Sequence, residues 1–438
     1  MNSESGVNEN RLRVVEWVKT ALIAALTASA LFLGWRTGLL NEFFRDIPFF
    51  GSVAGFVQGS AGAETADASV KEAARPLTIL ITDADGERFG VRYDVDARNA
   101  VYDRTSNILA EALGSMSDLS GISEYQWRAA LDGAGVYFEY ASPVMLSVLG
   151  GWLGVQVPDI SDIEINVTLR RIFTAFGEDR NRIYFQDDES GLFFGAETAS
   201  SAGRAQELGI YSPNGALFAF ETGVEIAENA PYLPIMLDNI HPVVGSGPAG
   251  SARELLDMAI IAFGHRGELN MTDYNTQNTL ICTGADFDIR VYTDGRVTYR
   301  RTDGFPPMDA GRKPDEGEMI EQARVIVADT IDITAGAAEV FFQNIEYDFS
   351  GNHHIVTFGY YIAGGHVHLL GGGYAGKVTF FEGIITEAEL NFRSLLISDE
   401  YSRLLPEIQA IAAAGGEFML SYSEAGPELL QPEWVRTT

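Results

Sequence analysis

Four of the six histidines fall in one short stretch, His353, His354, His366 and His368. Neutral imidazoles hold Zn²⁺ well, and residues two apart on a strand share one face. His366 and His368 have that spacing, and a hairpin would bring His354 near them. No cysteine accompanies them and no H-E-x-x-H spacing occurs, so a surface strand pair that carries histidines is the simpler reading. A second candidate, Gly245-Ser246-Gly247-Pro248-Ala249-Gly250, matches G-x-G-x-x-G literally. A dinucleotide site needs such a loop to open a helix and a buried parallel strand to follow. Residues 264–278 are too polar for that strand, which leaves a hinge between domains followed by a helix capped at Ser251. Asp83-x-Asp85-Gly86 resembles half of a calcium loop, but apolar strand residues interrupt the ligand positions, so a hairpin turn is expected. No nucleophile elbow, phosphate loop or paired acid and base occurs. The expectation is a protein with no catalytic residues, no cofactor, no nucleotide and no nucleic-acid partner.

The elements around these candidates read as mixed α+β. Residues 77–82 and 88–93 predict a hairpin across Asp83–Gly86, and 106–113 and 124–131 predict helices. Ser123 with Gln126, and Ser251 with Glu254, form capping boxes at helix starts. Residues 135–140 predict a strand and 145–153 a helix or loop, with further strands near 163–169, 182–186, 191–196 and 216–221. Alternating apolar residues on both sides of Asp294-Gly295 predict a two-residue hairpin, followed by a helix over 315–328. Strands over 340–349, 354–363, 366–370, 377–381 and 384–392 predict an antiparallel meander, with a short helix from Pro406 to Gly415 and a strand over 418–422. The lone cysteine, Cys282, lies in an apolar stretch and reads as a small core residue.

The chain carries a second kind of signal near its start. Thr20 to Trp35 is an uncharged run that spans about 24 Å as a helix at ~1.5 Å per residue. Lys19 and Arg36 flank it, Trp17 and Trp35 suit the two interfaces, and Leu39 and Leu40 extend its apolar content. Arg11, Arg13 and Lys19 favour a cytoplasmic N-terminus with the body outside the cell membrane. Ala28-Ser29-Ala30 resembles a signal-peptidase site, yet Leu31 to Leu33 keep the run apolar past it, so an uncleaved anchor is expected. Ala21, Ala25 and Ser29 lie four apart and give the span a small-residue packing face.

The whole chain has 438 residues and a formal charge of −31. Beyond residue 45 the balance is 25 basic against 57 acidic residues, a surface that repels nucleic acid and attracts cations or basic partners. The expected organisation is a cytoplasmic end and anchor over 1–45 and a juxtamembrane linker over 46–75. An α+β domain over 76–245, a helix-hairpin-helix subdomain over 251–330 and an antiparallel β-rich domain over 331–438 follow. The fold class is thus α+β, one N-terminal transmembrane helix followed by two or three extracytoplasmic domains with antiparallel sheets.

Several segments carry a family likeness. Arg75-Pro76-Leu77, Trp127 and residues 135–153 look like the first domain of the YycH/YycI family. Residues 356–361, Gly365-His366-Val367, 377–381, Gly383-Ile384-Ile385 and Leu420-x-Tyr422…Leu430-x-Pro432-x-Trp434 resemble its closing β region. That resemblance implies a membrane-anchored accessory protein that tunes a cell-wall sensor histidine kinase by protein contacts. The kinase, a paralogous membrane regulator, or both, would be its partners. It implies no catalytic residues. The competing reading is an exported binding module for a cation or cell-wall ligand that uses acidic loops or the histidines.

Overall fold

The computed structural model describes residues 70–436, except 159–166, 178–179, 200–207, 224–231, 266–271, 277, 303–312, 351, 370–372, 415–417 and 427. The expected anchor over 17–40, with Ala21, Ala25 and Ser29, lies outside the described residues. Among those described, no helix is long and apolar enough to cross a membrane.

The first sheet has seven strands: β1 (Thr78–Thr82), β2 (Arg88–Val91), β3 (Ser117–Ile122), β4 (Gly135–Met145), β5 (Thr168–Ala175), β6 (Asn181–Asp187) and β7 (Phe193–Thr198). They pair in the order β2-β1-β4-β5-β6-β7-β3, antiparallel throughout. Strand β1, TILIT, is buried at every position, because helices cover both faces of the sheet. Helix α1 (Val95–Gly114) packs its Ile108, Leu109 and Leu113 in one core with Ile79, Phe138 and Ile172. Helix α2 (Glu124–Leu131) places Trp127 on the other side with Leu80, Tyr137 and Phe173. Trp127 at full burial contributes on the order of 2–3 kcal/mol of apolar transfer free energy. The Ser123–Gln126 capping box forms as expected, with the Ser123 amide 2.9 Å from Gln126 Oε1. Helix α1 starts eleven residues earlier than its apolar spacing suggests: Asp94 caps it through Ala97 N–H, and its buried face includes Arg98. A short helix, α3 (Leu146–Trp152), follows β4.

After a two-stranded pair, β8 (Leu217–Phe218) with β9 (Pro234–Ile235), the chain enters a thirteen-stranded sheet. Its members are β10 (Ile240–Pro248), β11 (Thr272–Asn275), β12 (Thr279–Thr283), β13 (Phe287–Tyr292), β14 (Arg296–Arg301), β15 (Glu339–Asp348) and β16 (His353–Ile362). They are joined by β17 (Gly365–His368), β18 (Gly376–Phe381), β19 (Ile384–Asn391), β20 (Arg393–Arg403), β21 (Phe418–Gly426) and β22 (Leu429–Arg436). The path runs β11-β12-β13-β14-β19-β18-β16-β17-β21-β22-β10-β20, with β15 on β16. Helix α4 (Ala252–Ala262) packs on β12 to β14, α5 (Glu316–Ala328) on β15, β16 and β18, and α6 (Glu407–Ala414) precedes β21.

This topology corrects the expected organisation. Most of the expected break, Gly245 to Pro248, is instead the end of strand β10, held by β20 along its length and by β22 at Val244 and Gly245, and only Ala249 and Gly250 lie outside it. The units expected at 251–330 and 331–438 share one sheet, because β14 pairs directly with β19. The meander is interrupted: β17 pairs parallel to β21, which returns from much later in the chain. Residues 393–403 form a long strand where none was expected, since they do not alternate cleanly between buried and exposed positions, whereas 429–436, expected as β through the family likeness, forms the last strand. Ala74 is already buried, so folded structure begins before the expected start at Arg75-Pro76.

Candidate functional site

One cluster of charge is buried. Arg92, just past β2, sends Nη2 to Glu139 of β4 at 2.6 Å, Nη1 to Glu407 of α6 at 3.0 Å and Nε to Thr78 of β1 at 2.6 Å. The side chains are 6% exposed for Arg92 and 1% for each glutamate, so both ion pairs lie out of water. Glu407 also accepts from Tyr93 Oη at 3.2 Å and from Met236 N–H at 2.6 Å. Arg171 of β5 lies 3.5 Å from Glu139. Burial favours the neutral form of Glu139, but Arg92, Arg170 and Arg171 outweigh it and hold the carboxyl below its ordinary range. Burial pushes Glu407 up to about 6, with Arg92, Met236 N–H and Tyr93 pulling the other way. Burial would lower Arg92, yet Glu139, Tyr93 and Glu407 hold its guanidinium more firmly protonated.

These groups join elements far apart in the chain, since Arg92 and Glu407 are 315 residues apart. No local spacing announces them. The one sequence signal is Glu139 itself, a carboxylate inside the apolar strand Val136-Tyr137-Phe138-Glu139-Tyr140. Charges of opposite sign meet inside the node, and both glutamates lie nearly out of solvent. Its chemistry is that of a joint between the N-terminal sheet and the C-terminal helix. His241 packs beside it, edge-on between Tyr93 at 4.7 Å and Trp434 at 5.8 Å. It is fully buried with neither ring nitrogen hydrogen-bonded among the described residues, and burial pushes it down to about 4 against the pull of Asp238.

An open polar groove of about 250 Å³ lies on the outer face of β13, β14, β18 and β19. The period of two sets Asp288, Arg290 and Arg300 opposite the buried Ile289, Val291 and Val297. Arg290 meets Asp288 at 2.8 Å and Arg300 meets Glu387 at 3.5 Å. The groove is therefore lined by paired charges and suits a polar ligand.

The structure does not gather the four histidines. His353 and His354 open β16, whereas His366 pairs with Tyr361 near its other end. His366 and His368 lie together, ring centroids 5.0 Å apart, but His366 is buried against Gln343 at 2.6 Å. Burial, then His368, pushes His366 down to about 4. Among the described residues, no three of His, Cys, Asp and Glu converge as a metal site. Gly245 to Pro248 of the G-x-G-x-x-G segment are strand rather than phosphate loop, with Ser246 N–H donating to Glu428 C=O at 2.9 Å, and Ala249-Gly250 form the bend before the Ser251 cap. Asp83 does close a hairpin turn, accepting from the amides of Asp85 and Glu87 at 2.9 and 2.8 Å, with Gly86 at φ +81°. Cys282 is buried, as its apolar surroundings require.

No protein-family model matches the chain, and no curated protein matches it. Two solved structures are similar. The crystal structure of YycH from Bacillus subtilis aligns over 83% of this chain and 94% of that one, with a TM-score of 0.51 and 13% identity. An uncharacterized protein from Eubacterium rectale aligns over 48% of this chain and 78% of that one, with a TM-score of 0.30 and 9% identity. The chain thus shares the overall fold of YycH.

Proposed function

We propose that this protein is a non-enzymatic, membrane-anchored extracytoplasmic regulator that modulates a cell-envelope sensor histidine kinase by protein contacts. The observation that carries the reading is the YycH-like fold across 83% of the chain. The described charge clusters support it, because Arg92, Glu139 and Glu407 are spent on internal ion pairs. The apolar run from Thr20 to Trp35 supplies the anchor, with the N-terminus cytoplasmic and the body outside. A paralogous membrane regulator would be a second partner. The test is reconstitution of the full chain in liposomes with the histidine kinase encoded nearest its gene. Kinase autophosphorylation should change when the chain is present, and a chain lacking residues 1–45 should lose most of the effect. Identical phosphorylation with and without the chain refutes the reading. The groove along Asp288, Arg290 and Arg300 favours one alternative, an exported module that binds a polar cell-wall ligand.

A further inference from the structure

The open groove over β13, β14, β19 and β18 is floored by a regular grid of side chains. Strand register sets Arg290, Thr298, Glu389 and Lys377 side by side in one row across the four strands. Asp288, Arg300, Glu387 and Thr379 form the next row. Adjacent strands lie ~4.8 Å apart and residues rise ~3.3 Å along a strand, so each row runs about 14 Å and the two rows are about 7 Å apart. The intervening Ile289, Val291, Val297 and Val378 are fully buried, which makes the grid the solvent side of the sheet.

Neighbours hold several of these groups in place. Asp288 accepts from Arg290 Nε at 2.8 Å and from Thr283 Oγ1 at 3.1 Å, and Arg300 Nε lies 3.5 Å from Glu387. Lys377 makes no ion pair among the described residues, and its ammonium lies 6.0 Å from the Tyr374 ring. Thr298, the short side chain between Arg290 and Glu389, leaves a low point in its row. The two tyrosines that reach the groove are already engaged. Tyr292 carries the Arg296 guanidinium at 4.0 Å and Tyr299 stacks on Phe263 at 4.1 Å, so a ligand here is held by hydrogen bonds rather than by stacking.

Donors and acceptors are interspersed in both rows, guanidinium, hydroxyl, carboxylate and ammonium in one and carboxylate, guanidinium, carboxylate and hydroxyl in the other. That pattern suits a molecule whose every unit shows hydroxyls, which donate and accept alike. The rows cross the strands at the strand spacing of ~4.8 Å, close to the advance per unit of an extended β-linked sugar chain, so four strands meet about four sugar units. A polyanion is a poor occupant. The grid balances three cations against three carboxylates, and the whole chain carries −31.

We infer that this groove binds an extended, neutral, β-linked glycan that lies across β13, β14, β19 and β18. Its hydroxyls accept from Arg290, Arg300 and Lys377 and donate to Asp288, Glu387 and Glu389. Groups that already fix one another, as Asp288 and Arg290 do, lose little freedom on binding. The inference rests on the alternative reading of the groove and names its ligand class, and its test needs no kinase.

The experiment titrates the full-length chain with four sugars by isothermal calorimetry. Chitotetraose is neutral and β-linked, maltotetraose is neutral and α-linked, tetramannuronate is β-linked with a carboxylate on each unit, and chitobiose is half the length. Chitotetraose should bind at least about tenfold more tightly than each of the other three. Thr298→Phe fills the low point with a residue that strands accept well, and it should weaken chitotetraose binding at least about tenfold at an unchanged urea midpoint. Lys377→Met removes a donor that serves no ion pair and should weaken binding about fivefold. No saturable chitotetraose binding, equal binding of maltotetraose, or binding that survives both variants overturns the inference. Tetramannuronate binding in preference, lost in Thr298→Phe, overturns the neutral glycan while leaving the groove a site for a polar cell-wall ligand. A kinase effect of the chain without sugar binding overturns this inference and leaves the regulatory reading intact.

Discussion

Replacing Arg92 with methionine removes the cation at the centre of the buried node while retaining much of its length. Two carboxylates, each 1% exposed at the side chain, then lose their partner at 2.6 and 3.0 Å. Removing one member of a buried ion pair costs about 3–5 kcal/mol, because the remaining charge stays buried. Arg171, at 3.5 Å, still faces Glu139, which places Arg92→Met near 4 kcal/mol rather than above that range. The loss should depend on pH. Glu407, pushed up to about 6 even beside Arg92, titrates higher still without that cation, so the folded state holds more protons and stability returns as the pH falls. Urea unfolding followed by tryptophan fluorescence at about pH 7.5 and about pH 5 measures both effects. Trp434, whose indole donates to Leu405 C=O at 2.9 Å just before α6, reports on this region. The triple variant Arg92→Met, Glu139→Gln, Glu407→Gln should recover most of the stability, since uncharged packing can replace a buried ion set. A loss below about 1 kcal/mol for Arg92→Met, or one that does not shrink in acid, refutes this account of the node.

His241 makes a second pH prediction with the opposite sign. Its folded value near 4 lies below the ordinary 6.5, so the unfolded chain binds more protons and stability falls as pH drops from 6.5 toward 4. His241→Phe should remove on the order of 2 kcal/mol of that acid sensitivity and change stability little at neutral pH, as urea midpoints across the window would show. Two glycines should behave unlike each other. Gly247→Ala meets nothing within 4 Å and should shift stability by less than about 0.5 kcal/mol. Gly135→Ala would set its Cβ 2.3 Å from Thr174 C=O and 2.5 Å from the Phe173 ring, so a loss above about 3 kcal/mol is expected in the same urea assay.

What depends on neighbours a few residues apart was legible in the amino-acid sequence. The capping boxes at Ser123 and Ser251 hold because side chain and amide are three residues apart. The hairpin around Asp294-Gly295 forms because Asp294 accepts from Arg296 N–H at 3.0 Å and Gly295 takes φ +87° without steric cost, although its loop is the three residues Thr293 to Gly295 rather than the two expected. The α+β class with antiparallel sheets followed from the same local periodicities. Tertiary structure alone decided the rest. The Gly245–Pro248 run has hinge composition, but ladders from β20 and β22 make it a central strand. Histidines close in sequence separated because the ten-residue strand β16 runs between the pairs. The ion node formed from residues in three remote segments, since only the assembled sheets place Arg92 between Glu139 and Glu407. A charge pattern of that kind has no period along the chain, because nothing but folding brings its members within bonding distance.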